Sequence, residues 1–523
     1  MFTGRQILKN TLLLTAAALL LRLLSMLFQA YLAGRIGAEG LGGVQLVLSV
    51  SAFAATLGLA GARVAASCLC AEAYGRRDSA GLQGAAAHCL GYVLLTSMLA
   101  AAGLFFAAPW IARYALRLPE AEGSLRLLAG LVPVGCVNLV LGGYLTAAGQ
   151  VLRLTAVDAC ERVCCLGLSL LLLRSAPEGL GGACFALLGG DLLASCGAAA
   201  VLYGFYRQGW RGVSPSEAPP GLGRRVRKLA APLALSDYLR AALRTLEQLL
   251  IPWGLAQAGA SQQRAMAAYG TVTGMVFPVL MLPAAFLYAL IDLLIPELAA
   301  CRAQRRAARL QSVTRQCLRA GLLFGSFTAG LLFVLAGPLA QLLYRSAEAG
   351  RLLRLFAPVA LVLYLDALVD GMLKGLSEQV ANVRYNTITS ALDVALLFVL
   401  LPRYGLGGYV FTFIAAHLVN FALSLRRLLR VTGLRASAGA AVRTALLAVG
   451  AGASALLTPA PGPEAAELLL RGAVYAGVYG LAACVSDTAE LCVPESLRPA
   501  RRAEKRGRPV DFCARNPYNQ SRM

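Results

Sequence analysis

The stretch TLLLTAAALLLRLLSMLFQAYLA, Thr11–Ala33, is an apolar run interrupted by a single charge, Arg22. As a helix rising 1.5 Å per residue, it covers the roughly 30 Å of a bilayer's hydrocarbon core. Runs of about 18 to 27 apolar residues recur about fourteen times, from 11–33 to 467–485, with short polar breaks between them. Composition points the same way: 58% of the 523 residues are hydrophobic and 14% are charged, against about 25% charged in an average soluble domain. The first run carries Arg22 at its centre and no clean small-residue cleavage site, so it is expected to be a retained span rather than a secretory signal. The expected fold class is an all-α integral membrane protein of about fourteen transmembrane helices.

The fourteen cysteines do not form a disulfide framework. Cys136, Cys160, Cys164, Cys165, Cys184 and Cys196 are scattered through apolar runs, where a thiol acts as a small hydrophobe. Cys68 and Cys70 lack a metal-motif spacing, and His88 and His417 do not assemble a ligand set with carboxylates, so no metal is expected. There is no Walker-type phosphate loop and no loop long enough to be a soluble catalytic domain, so an enzyme is not expected.

A net charge of +22 raises the question of nucleic acid, and its location answers it. With the N-terminus in the cytoplasm, cytoplasmic segments hold roughly three times the Lys and Arg of the external ones. The densest clusters are Arg224, Arg225, Arg227 and Lys228; Arg302, Arg305, Arg306 and Arg309; Arg426, Arg427 and Arg430; and the tail from Arg498 to Arg508. All fall on one side, as the positive-inside rule demands. The expected partners are anionic lipid headgroups rather than nucleic acid, with both termini cytoplasmic.

Short matches recur at a common offset of 228: Gly42 with Gly270, Leu82-Gln83 with Leu310-Gln311, and Gly143-Tyr144-Leu145 with Gly371-Met372-Leu373. Gly179–Phe185 then matches Gly405–Phe411 at an offset of 226. The shared register is the signal, since single matches are cheap in a chain rich in Gly, Leu and Ala. Six spans is an even number, so the two copies enter the membrane in the same direction and are parallel repeats. The expected organisation is a six-helix bundle over 1–208, a linker over 209–230 with Pro215, Pro219 and Pro220, and a second bundle over 231–430. Two further helices over 431–486 and a basic, disordered cytoplasmic tail over 487–523 complete it.

An ionisable group at mid-membrane costs about 2.5–3.5 kcal/mol on insertion scales, so each marks a cavity, a partner or a function. Arg22 is too central to snorkel easily, and Thr15, Ser25 and Gln29 share its helix face. It is either a structural guanidinium bonded to a neighbour's carbonyls or a cation facing a central cavity. In the seventh span Asp237, Arg240, Arg244 and Glu247 lie within about 80° of one another. They form either a self-neutralised ladder of i,i+3 pairs or a stripe lining an aqueous cavity, and the cavity also explains why charges are there at all. The tenth span carries Asp366 and Asp370, followed by Lys374, and the eleventh carries Asn386 and Asp393 on one face. Carboxylates one turn apart can share a proton, hold a cation or pair with the lysine. Arg63 and Asp191 lie deep in their spans, whereas Asp158, Glu161, Arg162, Asp292 and Glu297 read as boundary charges.

The segment Leu21–Ser25 through Arg35–Gly42 resembles the first helix and loop of the polysaccharide-exporter branch of the multidrug/oligosaccharidyl-lipid/polysaccharide (MOP) superfamily, and within it the stage V sporulation protein B type. Gly143-Tyr144-Leu145, Tyr269-Gly270 with Gly274-Met275, Leu282-Pro283, Pro296-Glu297 and Gly371–Leu376 fall where that family carries similar residues, over about residues 5–430. The resemblance implies a V-shaped pair of six-helix bundles like the MATE transporters, working by alternating access. It implies a flippase that moves an undecaprenyl-pyrophosphate-linked saccharide, such as a peptidoglycan precursor, across the bacterial cytoplasmic membrane. Related lipid II flippases hold the pyrophosphate with cavity arginines, a role that would fall here to Arg22, Arg240, Arg244 and Arg63. Glu247, Asp366, Asp370 and Asp393 are the ion-coupling candidates; no cofactor is implied beyond Na⁺ or H⁺. Cell-wall synthesis proteins are candidate partners.

The chain departs from the family in having Glu247 where Asp is common and in lacking a Pro before Thr155-Ala156. The alternatives are a cation-coupled multidrug antiporter, which would prefer an acidic cavity, and a non-transporting scaffold for cell-wall or spore-cortex synthesis. The frame repeats but the charges are not expected to: the offset of 228 places Leu250 opposite Arg22.

Overall fold

The computed structural model describes residues 4–76, 78–177, 179–209, 221–434, 438–459 and 464–491. Pro215, Pro219 and Pro220 of the linker, and the basic tail beyond residue 491, lie outside the described residues. Every regular element among those described is a helix. In chain order the first half comprises α1 (Gly4–Leu59), α2 (Ala62–Gly75), α3 (Ser79–Trp110), α4 (Glu122–Ala147), α5 (Val151–Ser175) and α6 (Leu180–Gly209). The second comprises α7 (Leu222–Gln257), α8 (Gln262–Gly270), α9 (Phe277–Met281), α10 (Ala284–Ala303), α11 (Ala307–Tyr344), α12 (Ala347–Phe356), α13 (Val359–Gly375), α14 (Gln379–Tyr404) and α15 (Leu406–Thr432). Two more, α16 (Ala438–Leu457) and α17 (Glu464–Leu491), follow.

The apolar runs fall on helices, and among the described residues the count of separate spans reaches nine or ten by length and composition. Among the described residues nine helices are long and apolar enough to cross a membrane, or ten if α12 and α13, bent by 53°, make one broken span. The first run and most of the second join in α1, which breaks only at Gly37 (φ 69°, ψ −179°), and the second run continues past Ala60-Gly61 into α2. A Cβ at Gly37 would meet nothing within 4 Å, so the left-handed backbone rather than crowding favours glycine. The α5 and α7 helices carry charges through their length, and the apolar stretch of α16, Ala441–Leu457, is short.

The repeat is visible in the helix ends. The starts of α3 and α11 (79 and 307), the ends of α4 and α13 (147 and 375), and the starts of α5 and α14 (151 and 379) are each 228 apart. The starts of α6 and α15 (180 and 406) are 226 apart, each following a positive-φ glycine, Gly179 or Gly405. The packing repeats as well. Gly143 lies against Arg63 and Ser67, and the register-equivalent Gly371 and its neighbour Gly375 lie against Ile291 and Ile295, the counterparts of those two residues. Small residues let helix backbones approach closely where lipid offers no hydrophobic drive to pack.

The halves meet where α1 packs on α8 and on the π-helical turn Thr271–Val276. A Cβ on Gly42 would stand 2.4 Å from the Met266 carbonyl oxygen, and one on Gly270 would stand 2.0 Å from that of Ala38. At the opposite end, α7 leans on the first half: the Tyr238 hydroxyl donates to the Leu57 carbonyl (3.0 Å), and Arg225 pairs with Glu72 (2.7 Å). Further along, Trp253 of α7 stacks on Phe398 of α14.

The α17 helix docks on α11 through Tyr475 and Tyr479. Their hydroxyls reach the Ser326 carbonyl (3.4 Å) and the Ser326 hydroxyl (2.7 Å), and both rings pack on Phe327. Large apolar side chains such as Leu99, Phe106, Trp110, Leu171, Leu457 and Leu481 point outward. That much exposed apolar surface would be an aggregation hazard in water and is the normal lipid-facing surface of a membrane protein.

Candidate transport cavity

A cavity of about 1110 Å³ lies within the first half and is bordered on one side by Pro278, Met281 and Leu282 of the second. Helix α1 contributes Arg22, Ser25, Met26 and Gln29, the face expected of it. The Ser25 hydroxyl donates to the Leu21 carbonyl (2.9 Å), satisfying itself within the helix. Arg63 enters at the start of α2, α4 brings Asn138, α5 brings Asp158, Glu161 and Arg162, and α6 brings Asp191 and Ser195. Arg22 and Arg63, from different helices, thus line one space.

Three carboxylates share it. Asp158 sits near Glu161 and faces Arg63 and Arg162. Glu161 accepts from the Ser195 hydroxyl (2.6 Å), and the Cys165 thiol lies 3.6 Å from Asp191. Asp158, Glu161 and Arg162 therefore line the cavity, with Glu161 bonded to α6.

Arg22 also reaches across the two halves: its guanidinium lies 5.0 Å from the centre of the Tyr288 ring on α10. Such contacts contribute about 0.5–1 kcal/mol when exposed and about 2 when desolvated. Tyr288 lines a second, smaller cavity of about 570 Å³ with Asp292, Asp366, Asp370, Lys374 and His417. There the carboxylates are wrapped by amides and hydroxyls. The Asn420 amide donates to both oxygens of Asp366 (3.1 and 2.9 Å), Asn386 donates to Asp370 (3.2 Å), and Ser424 donates to Asp370 (3.2 Å). Thr389 closes the network by donating to the Asn420 side-chain oxygen (3.1 Å).

The α7 stripe is divided. Arg240 pairs with Asp237, the i,i+3 partner available to it. Glu247 lies beside Arg244 and in hydrogen-bonding contact with Asp393 of α14, near Tyr269 and Tyr409. Neither Arg240 nor Arg244 lines the cavity that holds Arg22 and Arg63. Glu297, at the end of α10, is held by Arg309 (2.7 Å).

The charge search missed the neutral members, Asn138, Asn420, Ser424 and Tyr288. The repeat points to one of them, Asn138. Asn138 and Asp158 stand 228 residues before Asp366 and Asn386, so amide and acid change places between the halves. At these two positions the charge does not recur in register, but the polarity does.

Residues 15–170 match the MatE family. The chain is similar to that family over this segment. It is related to stage V sporulation protein B of Bacillus subtilis (strain 168), with 25% identity over 413 residues, 76% of this chain and 79% of that protein. Among solved structures it resembles the lipid II flippase MurJ in an inward closed conformation (TM-score 0.66, 11% identity, 92% of this chain and all of that one). It also resembles a MATE family multidrug transporter of the MOP superfamily in an inward-facing conformation (TM-score 0.64, 16% identity, 80% of this chain and 96% of that one). At these identities the structural likenesses show a shared fold. Together with the long apolar helices, these likenesses support a multi-pass membrane protein.

Proposed function

We propose that the chain is a flippase for an undecaprenyl-pyrophosphate-linked saccharide in the bacterial cytoplasmic membrane. The observation that carries this reading is the convergence of Arg22 and Arg63 on one cavity beside the interface of the halves. Guanidinium forks suit phosphate oxygens, and a desolvated cavity strengthens the attraction. At about 1110 Å³ the space exceeds the roughly 300–1,000 Å³ of ordinary small-molecule sites, as a diphosphate with sugars attached requires. In this account the six-helix bundles 1–208 and 231–430 rock about the α1–α8 contact, the termini are cytoplasmic, and the prenyl chain stays in lipid.

The acidic network of Asp366 and Asp370 and the Glu247–Asp393 pair are the proposed sites of ion coupling by Na⁺ or H⁺. Arg240 and Arg244 would serve the head group only in a state that turns α7 toward the main cavity.

A second reading, a cation antiporter, draws support from Asp158, Glu161 and Asp191 in the same cavity. Charge reversal separates the two. In a strain that needs this chain for envelope or spore-cortex synthesis, Arg22→Glu abolishes complementation under the flippase reading. Full activity of that variant overturns it.

A further inference from the structure

The equivalent polar clusters of the two halves are completed to different degrees. Around Asp366 the amide of Asn420 is used at both ends: its nitrogen donates to Asp366 and its oxygen accepts from Thr389. Asn138, the register equivalent of Asp366, is only 9% exposed. Its amide nitrogen donates to the Ser195 carbonyl (3.0 Å), and because a carbonyl can only accept, that bond fixes which end of the amide is the oxygen. The oxygen has no partner, nor does the side-chain oxygen of Gln29, and both residues line the main cavity. A buried acceptor left unpaired costs about 1–3 kcal/mol. Gln29 follows Arg22 by seven residues, about 10 Å along the same face of α1.

Resting on the flippase reading, we infer that the cavity has two poles. Arg22 and Arg63 take the diphosphate. Gln29 and Asn138, backed by Glu161 and Asp191, form an acceptor pole that recognises hydrogen-bond donors on the group attached to it, the hydroxyls and amide N–H of a saccharide. The acceptor pole gives specificity and the arginines give affinity. A site built to bind donors rejects a ligand that lacks them, because its own groups are then left unpaired.

The test measures binding of undecaprenyl diphosphate, bare or carrying an N-acetylated disaccharide, to the full chain in lipid nanodiscs. Gln29→Leu and Asn138→Leu are expected to weaken the sugar-bearing lipid about tenfold each and to leave the bare lipid unchanged. Unchanged binding of the bare lipid shows that each variant is folded, so a loss through misfolding is recognisable. If both lipids weaken equally, or neither does, the acceptor pole is overturned while the diphosphate reading stands. If the unaltered chain binds neither lipid, the diphosphate reading fails and the inference falls with it.

Discussion

Gly42 and Gly270 lie against each other across the two halves, and they are each other's counterparts at the offset of 228. In a twofold arrangement a position meets its own equivalent only at the axis. The pair therefore marks where the pseudo-twofold axis passes between α1 and α8. A Cβ on Gly42 would also stand 3.1 Å from the Gly270 nitrogen, and one on Gly270 only 2.5 Å from that of Gly42.

Alanine at either position is expected to destabilise the protein by about 1–3 kcal/mol, the usual cost of overpacking. The two changes should combine with a coupling term, because they crowd the same contact. Gly130→Ala is the control: it lies inside α4, and a Cβ there would meet nothing within 4 Å. Thermal melts in detergent should show lower Tm for Gly42→Ala and Gly270→Ala and no loss for Gly130→Ala.

A second close approach can be relieved by its neighbour. The Cβ of a Gly371→Ala variant would fall 2.3 Å from a methyl of Ile291. Adding Ile291→Ala is expected to recover part of the lost stability, a coupling that a double-mutant cycle of melting data reads directly.

Asp366 depends on Asn420 for both of its oxygens. Asn420→Leu should cost about 3–5 kcal/mol while the carboxyl stays charged, since removing one partner strands a buried charge. Exchanging the two, Asp366→Asn with Asn420→Asp, should restore most of it, because the amide and the carboxylate then remain paired with their places on α13 and α15 swapped. Recovery of Tm with altered dependence on Na⁺ or H⁺ gradients would mark this network as the coupling site.

Tyr288 presents its ring face to Arg22. Tyr288→Phe keeps that face and should transport within about twofold of the unaltered chain, whereas Tyr288→Ala should lose about two- to thirtyfold, the range of a cation–π contact. Initial rates in proteoliposomes decide between them.

Much of the fold was legible because bilayer crossing leaves a one-dimensional record: the run Thr11–Ala33 and its successors are helices by necessity. The repeat register was legible too, down to the pairs Gly143 with Gly371 and Gly42 with Gly270. The sequence could not say that these last two touch, since an offset specifies equivalence and not distance. The cavity was half legible. Arg22 stood out because a lone mid-span charge is costly, whereas Asn138 carries no charge and becomes visible only when packing leaves its oxygen unpaired. Asp158 and Glu161 lay near a span end in the sequence, and only the folded structure places them on the cavity. Arg240 and Arg244 share a helix face with Asp237, and the local i,i+3 partner took the first of them.

The central claim is that Arg22 and Arg63 hold the diphosphate of a lipid-linked saccharide as it crosses the bilayer. Its most direct test is reconstitution of the full chain into liposomes with a labelled undecaprenyl-diphosphate disaccharide, following the label's movement between leaflets. The account predicts movement by the unaltered chain and its loss in Arg22→Glu and in Arg63→Glu, with both variants melting normally. Movement that persists in both variants, or no movement by the unaltered chain under any Na⁺ or H⁺ gradient, would contradict it.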